Sequence, residues 1–249
     1  MPIHAVLFDL GNTLWHIPEP PPPNQIRHET VSRILGLLSS WGIEIEDRHR
    51  MIGRDIRLTI GDVEKRAYET DQVSPDYVAI ARQVARDQGV DIGDDRAEEL
   101  WHAWNLGGEF FGRRLYDDTL ETLETLRSRG YRLGCVTNRA FGGPAFVEEV
   151  EQLGLTPYFD SFAVSCEVGY MKPHKLLFEY ALGELGVAGE ETLHVGDSLV
   201  ADVAGAQALG MTAVWRKPRK RFDEPDSIQP DYVIDQLREL LDLPMLAGQ

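Results

Sequence analysis

Cysteine is nearly absent from this chain of 249 residues: Cys135 and Cys166 are its only two, and neither has a partner two positions away. A disulfide framework and a zinc knuckle therefore find no support, and a reducing compartment is expected. Basic charge is also scarce. Against 41 Asp and Glu stand 25 Lys and Arg, a formal charge of −16, which leaves no cationic face for a phosphate backbone, so nucleic acid is not an expected partner. No stretch reaches the ~20 uninterrupted apolar residues of a membrane span. The opening Met1-Pro2-Ile3-His4-Ala5 lacks the basic flank and apolar segment of a signal peptide. A soluble, cytoplasmic protein without a membrane partner is the expectation; the oligomeric state is left open. The one basic cluster, Arg216-Lys217-Pro218-Arg219-Lys220-Arg221, reads as a surface loop.

Hydrophobic residues make up 43% of the chain, enough for a buried core. They recur as short runs: Ile3 to Phe8, Tyr131 to Val136, Phe159 to Ser165, Thr192 to Val195, Thr212 to Trp215 and Tyr232 to Ile234. Such runs, bounded by Gly, Asn and Asp, predict strands buried on both faces. Between them lie helical stripes such as Leu120, Leu123 and Leu126, or Phe178, Leu182 and Leu185. Alternating strand and helix predicts an α/β fold, a doubly wound and mainly parallel sheet, with a closing helix.

Residues 17–113 break the alternation. They begin with Pro18-Glu19-Pro20-Pro21-Pro22-Pro23, read as a stiff connector, and leave through Gly107-Gly108 and Gly112. Val31, Ile34, Leu35 and Leu38 give helical periodicity inside, and Trp41, Trp101 and Trp104 are candidates for its core. The prediction is an α/β core from residues 1–16 and 114–249, with residues 17–113 as an inserted helical cap.

In open parallel sheets, ligands bind outside the carboxyl ends of the strands. The first, second and fourth runs end at Asp9, at Thr137-Asn138 and at Gly196-Asp197, and Lys172 lies in the loop after the third. Carboxylates, a hydroxyl and a lysine meeting at one edge suit Mg²⁺ and phosphoryl oxygens, because hard oxygens bind the metal and N–H and O–H donors bind the anion.

Four segments in order resemble the motifs of the haloacid dehalogenase (HAD) superfamily. They are Phe8-Asp9-Leu10-Gly11-Asn12-Thr13-Leu14, Val136-Thr137-Asn138, Met171-Lys172-Pro173 and Gly196-Asp197-Ser198-Leu199-Val200-Ala201-Asp202. An insert between the first two resembles the helical-cap (C1) subgroup. The resemblance implies a Mg²⁺-dependent hydrolase of a small phosphorylated metabolite, in which Asp9 attacks phosphorus and forms an aspartyl-phosphate. It implies Asp9, the Gly11 carbonyl, Asp197 and Asp202 around the metal. It also implies Asn12, Thr137, Asn138 and Lys172 around the phosphate, with Asp9, Thr137 and Lys172 as catalytic residues.

One position departs from the pattern. HAD phosphatases carry Asp-x-Asp-Gly-Thr, whose second Asp protonates the leaving oxygen; this chain has Gly11 there. A general acid is worth ~10²–10⁴-fold, roughly 3–5 kcal/mol, so leaving groups of low pKa lose least. His16 and His102 are the candidate surrogate acids. Two other functions stay open at this level. A dehalogenase needs no leaving-group acid, though such relatives lack the metal-binding Asp, and a phosphate-binding regulatory protein needs no turnover.

Overall fold

Residues whose side chains are apolar on both sides of an extended backbone have to be covered twice, and six such runs pair side by side in the computed structural model, which describes residues 2–218, 225 and 227–247. The strands among the described residues are β1 (Ala5–Phe8), β2 (Trp15–His16), β3 (Arg114–Leu115), β4 (Arg132–Thr137), β5 (Ser161–Val164), β6 (Thr192–Gly196), β7 (Thr212–Arg216) and β8 (Tyr232–Ile234). Six of them form one sheet in the order β5-β4-β1-β6-β7-β8, every pair parallel. β2 and β3 make a separate antiparallel pair that the sequence did not announce. The chain forms two compact units, Met1–His16 with Arg114–Gln249, and Ile17–Arg113.

Alternation along β1 sends Val6 and Phe8 to one face of the sheet and Ala5 and Leu7 to the other. Phe8 packs with Leu10, Leu133 and Phe159, and Leu7 with Val136, Leu177 and Phe178. Each such side chain contributes about 1.5–3 kcal/mol by leaving water. The register sets the site: Phe8 lies beside Cys135 of β4 and Val195 of β6, and Gly196 of β6 lies beside Trp215 of β7. Asp9, Thr137, Asp197 and Arg216 therefore end their strands within about one residue of one another. The chain crosses from one side of β1 to the other between β5 and β6, so this edge is also where the strand order reverses.

Within the α/β unit, three expectations need correction. Leu120 is exposed: in the helix Thr119–Ser128 the first turn turns Thr119 and Thr122 inward, and the Thr119 hydroxyl donates to the Leu14 carbonyl at 2.9 Å. The closing helix is a short 3₁₀ segment, Leu237–Asp242, that still buries Leu237 and Leu240. Arg216 does not belong to a surface loop; it ends β7 and is buried, while Arg219, Lys220 and Arg221 lie outside the described residues.

The second unit is helical, with helices Pro23–Ser40, Ile52–Glu69, Tyr77–Asp87 and Asp94–Trp104. The proline run does not stay extended throughout, because Pro23 opens the first helix, where a missing N–H costs nothing. Trp101 is stacked between Tyr77 at 5.4 Å and Trp104 at 5.2 Å. Trp41 is only half-buried, under Arg96 and bonded to Glu99. No helix among the described residues is long and apolar enough to cross a membrane.

Candidate active site

Asp9 follows the last residue of β1 but is still on the ladder, its N–H donating to the Val195 carbonyl at 2.9 Å. One oxygen of its carboxylate, Oδ1, accepts from Lys172 Nζ at 2.6 Å, and the same ammonium donates to Asp202 Oδ1 at 2.7 Å. Lys172 is 2% exposed and Asp202 1%, so this lysine is no solvated side chain. Asn138 puts it there: its Oδ1 accepts from the Lys172 N–H at 2.7 Å and its Nδ2 donates to the Lys172 carbonyl at 3.1 Å. The Asn138 side chain is thus spent on the lysine main chain. Thr137 ends β4 and is buried, in register with Val164.

Asp202 comes from a wide turn. After β6 the Val203 N–H reaches back five residues to the Ser198 carbonyl at 3.2 Å, which carries Asp202 under the end of the strand. Its Oδ2 accepts from the Ser198 N–H at 3.0 Å, and His194 Nε2 lies 3.0 Å from Oδ1. A Cβ on Gly196 would sit 2.1 Å from Asp202 Cγ, so only glycine lets that carboxylate take its place. Asp197 is half-buried; Asn12 Nδ2 donates to its Oδ2 at 3.0 Å and Trp215 Nε1 donates to its main-chain carbonyl at 2.8 Å. Asn12 holds a left-handed backbone, φ 52°, which asparagine tolerates better than most residues.

One carboxylate oxygen from each of Asp9, Asp197 and Asp202 falls within 4.8 Å of the others. Three carboxylates thus face one ammonium. Burial pushes the Asp9 carboxyl up, and the Asp202 charge adds to it against the pull of Lys172. Burial, with Asp9 and Asp202 nearby, pushes Asp197 up to about 7. For Asp202 burial acts upward too, but Lys172 and His194 outweigh it and hold the group well below the usual carboxylate range. Lys172 is raised, since the two carboxylates more than offset its own desolvation. The carboxyl with the least compensation is Asp197, and hard oxygen donors so close together with a charge deficit fit Mg²⁺.

Gly11 is half-buried and bridges to Trp15; the nearest atom to a Cβ built on it is Trp15 Nε1 at 3.9 Å. The position has room for a side chain. His16, in β2, stacks on Tyr116 with ring centres 4.4 Å apart. His102 lies in the helical unit beside Glu98. Three participants lie outside the motifs: His194, Trp215 and Arg216. A histidine inside the buried run Leu193-His194-Val195 was the one available signal, because a polar ring there has to find a partner.

The haloacid dehalogenase-like hydrolase family model matches residues 3–210. A glyceraldehyde 3-phosphate phosphatase of Methanopyrus kandleri is 30% identical over 97% of this chain and 97% of its own length. Another, from Methanocaldococcus jannaschii, is 37% identical over 52% of this chain, which spans just 56% of that relative. The solved HAD phosphatase from Thermococcus onnurineus superposes with a TM-score of 0.59 at 27% identity, covering 99% of both chains.

Proposed function

This chain belongs to the haloacid dehalogenase-like hydrolase family, and we propose that it is a Mg²⁺-dependent phosphatase of a small phosphorylated metabolite, acting through an aspartyl-phosphate on Asp9. The observation that carries this reading is the convergence of Asp9, Asp197 and Asp202 within 4.8 Å, beside a buried Lys172. The names of the two phosphatase relatives support a phosphate monoester of low mass as substrate. The helical unit, inserted between the first two motifs, supports the helical-cap subgroup.

Asp9, Asp197 and the Gly11 carbonyl would hold Mg²⁺, with Asp202 orienting the set. When bound, the ion neutralises charge so that an anionic carboxylate approaches an anionic phosphoryl group. The rest belongs to the chain. Lys172 holds Asp9 Oδ1, leaving Oδ2 to attack phosphorus. The Asp9 oxygen–phosphorus bond forms as the bond to the leaving oxygen breaks. Thr137 and the Asn138 N–H donate to the phosphoryl oxygens, and water then cleaves the acyl phosphate, releasing phosphate and restoring the carboxylate. With glycine at position 11, the leaving oxygen departs without a proton from that position. Substrates whose leaving group has a low pKa, such as anomeric sugar, acyl or aryl phosphates, are therefore favoured.

The test is a panel of phosphorylated metabolites assayed for released phosphate with Mg²⁺ and with chelator. Turnover that requires Mg²⁺ is the expected result. Halide release from a haloacid without metal would make the chain a dehalogenase instead. Absence of turnover, together with no stabilisation by beryllium fluoride and Mg²⁺, would leave only a binding protein.

A further inference from the structure

β7, a strand that carries no motif, ends in two residues that together touch both acidic loops. β7 finishes at Trp215-Arg216. Trp215 Nε1 donates to the Asp197 carbonyl at 2.8 Å, and an Arg216 guanidinium N–H donates to the Asn12 carbonyl. Asn12 in turn bonds the Asp197 carboxylate through Nδ2 at 3.0 Å. The ring of contacts therefore closes: β7 to the loop after β6, that loop to the loop after β1, and back to β7.

Arg216 is an expensive way to make one hydrogen bond. Its side chain is buried, Nε has no hydrogen-bond partner, and no carboxylate pairs with it among the described residues. A buried cation with so little compensation costs stability rather than adding it. What holds it is a plate: the guanidinium carbon lies 3.6 Å from the Tyr116 ring centre, and the His16 ring also stacks on Tyr116, with the two ring planes nearly parallel, 9° apart. The Tyr116 ring supports the guanidinium carbon while an N–H of the same group donates to the Asn12 carbonyl. The bond reaches the main chain of the residue whose Nδ2 holds the Asp197 carboxylate, in a loop whose backbone is left-handed at that point, φ 52°.

We propose that Arg216, seated on Tyr116 and working with Trp215, is a positioning residue that sets the spacing between the Asp9–Asn12 loop and Asp197 for a divalent cation. The proposal rests on the Mg²⁺ reading above. It places the determinant of metal affinity on a strand that binds neither metal nor phosphate.

The experiment is Mg²⁺ titration by calorimetry, with melting temperature followed with and without Mg²⁺, on wild type, Arg216→Met, Arg216→Lys and Tyr116→Leu. Arg216→Met is expected to bind Mg²⁺ about 10–100-fold more weakly, the usual loss when a ligand's supporting partner is removed. Arg216→Lys, which keeps a donor for the Asn12 carbonyl, should recover part of that loss. Tyr116→Leu, which keeps the guanidinium but removes its plate, should weaken binding by more than about threefold, and it stands in if Arg216→Met does not fold. Arg216→Met or Tyr116→Leu binding Mg²⁺ within about twofold of wild type overturns the clamp, even if its melting temperature falls. A wild-type chain that binds no Mg²⁺ overturns the metal reading, and the clamp with it.

Discussion

The helical unit and the sheet edge pair side chains of opposite charge at similar distances to opposite ends. In the helical unit, Arg33 meets Glu29 at 2.7 Å and Arg48 meets Glu46 at 2.9 Å, with every partner at least a third exposed. At the sheet edge, Lys172 meets Asp9 at 2.6 Å and Asp202 at 2.7 Å with almost no exposure. The first kind is screened by water and worth about 0–1 kcal/mol. The second is intolerant of losing a partner, since a charge left alone in the interior costs about 3–5 kcal/mol. The same contrast separates two acidic groups. Asp95, Glu98 and Glu99 line an open groove with Leu37 and His102, whereas Asp9, Asp197 and Asp202 converge around one lysine. Burial and convergence, not acid count, make the second a site.

The strongest way to press this contrast is Asp9→Asn. It should cost on the order of 10⁴-fold or more in turnover while the chain stays folded; steady-state kinetics showing a loss below tenfold would remove Asp9 as nucleophile. Lys172→Met comes next. It leaves Asp9 and Asp202 facing each other without their cation, and urea unfolding should report about 3–5 kcal/mol less stability; a value under 1 kcal/mol would mean the buried pair behaves like a surface pair. Gly11→Asp adds the absent acid where the nearest atom is 3.9 Å away, and should speed hydrolysis of alkyl phosphates by ~10²-fold. A rate equal to or below wild type argues against the missing-acid account.

A smaller effect follows from Asp197. Its carboxyl, up at about 7 in the folded chain, keeps a proton that the unfolded chain has released above about pH 4. Its contribution to stability without metal thus falls as pH rises through that window, and the full repulsion is present above pH 7. Mg²⁺ takes the ionised form, so the melting-temperature gain it gives should be largest above pH 7 and shrink as pH falls through 7. A gain independent of pH between 5.5 and 8 would contradict it. The smallest effect belongs to the helical unit: Arg33→Ala should change stability by less than ~1 kcal/mol, read by the same urea titration.

The strands and loops were legible because a strand covered on both faces needs an unbroken apolar run, and the polar residue that ends it stands out. Asp9, Thr137 and Asp197 are visible on that ground alone. Lys172 was visible as part of a motif, but its burial between two carboxylates was not. The side chains of Asn12 and Asn138 bond to Asp197 and to the Lys172 backbone, pairings between loops that no single motif displays. His194 hid as one polar letter in an apolar run, and Arg216 looked like the start of a basic loop. Helix periodicity placed Leu123 and Leu126 correctly inside but also drew in Leu120, because a three-residue spacing does not say where the first buried turn begins.

What the sequence by itself determined is local: which runs are strands, which loops carry acids, and that position 11 has no carboxyl. Those properties depend on hydrophobic pattern and residue identity within a few neighbours. The tertiary structure alone decided which side chains spend their hydrogen bonds on each other, as when Arg216, more than 200 positions from Asn12, closes on its carbonyl. The reason is geometric: parallel register brings distant strand ends level, and no spacing along the chain encodes that distance across it.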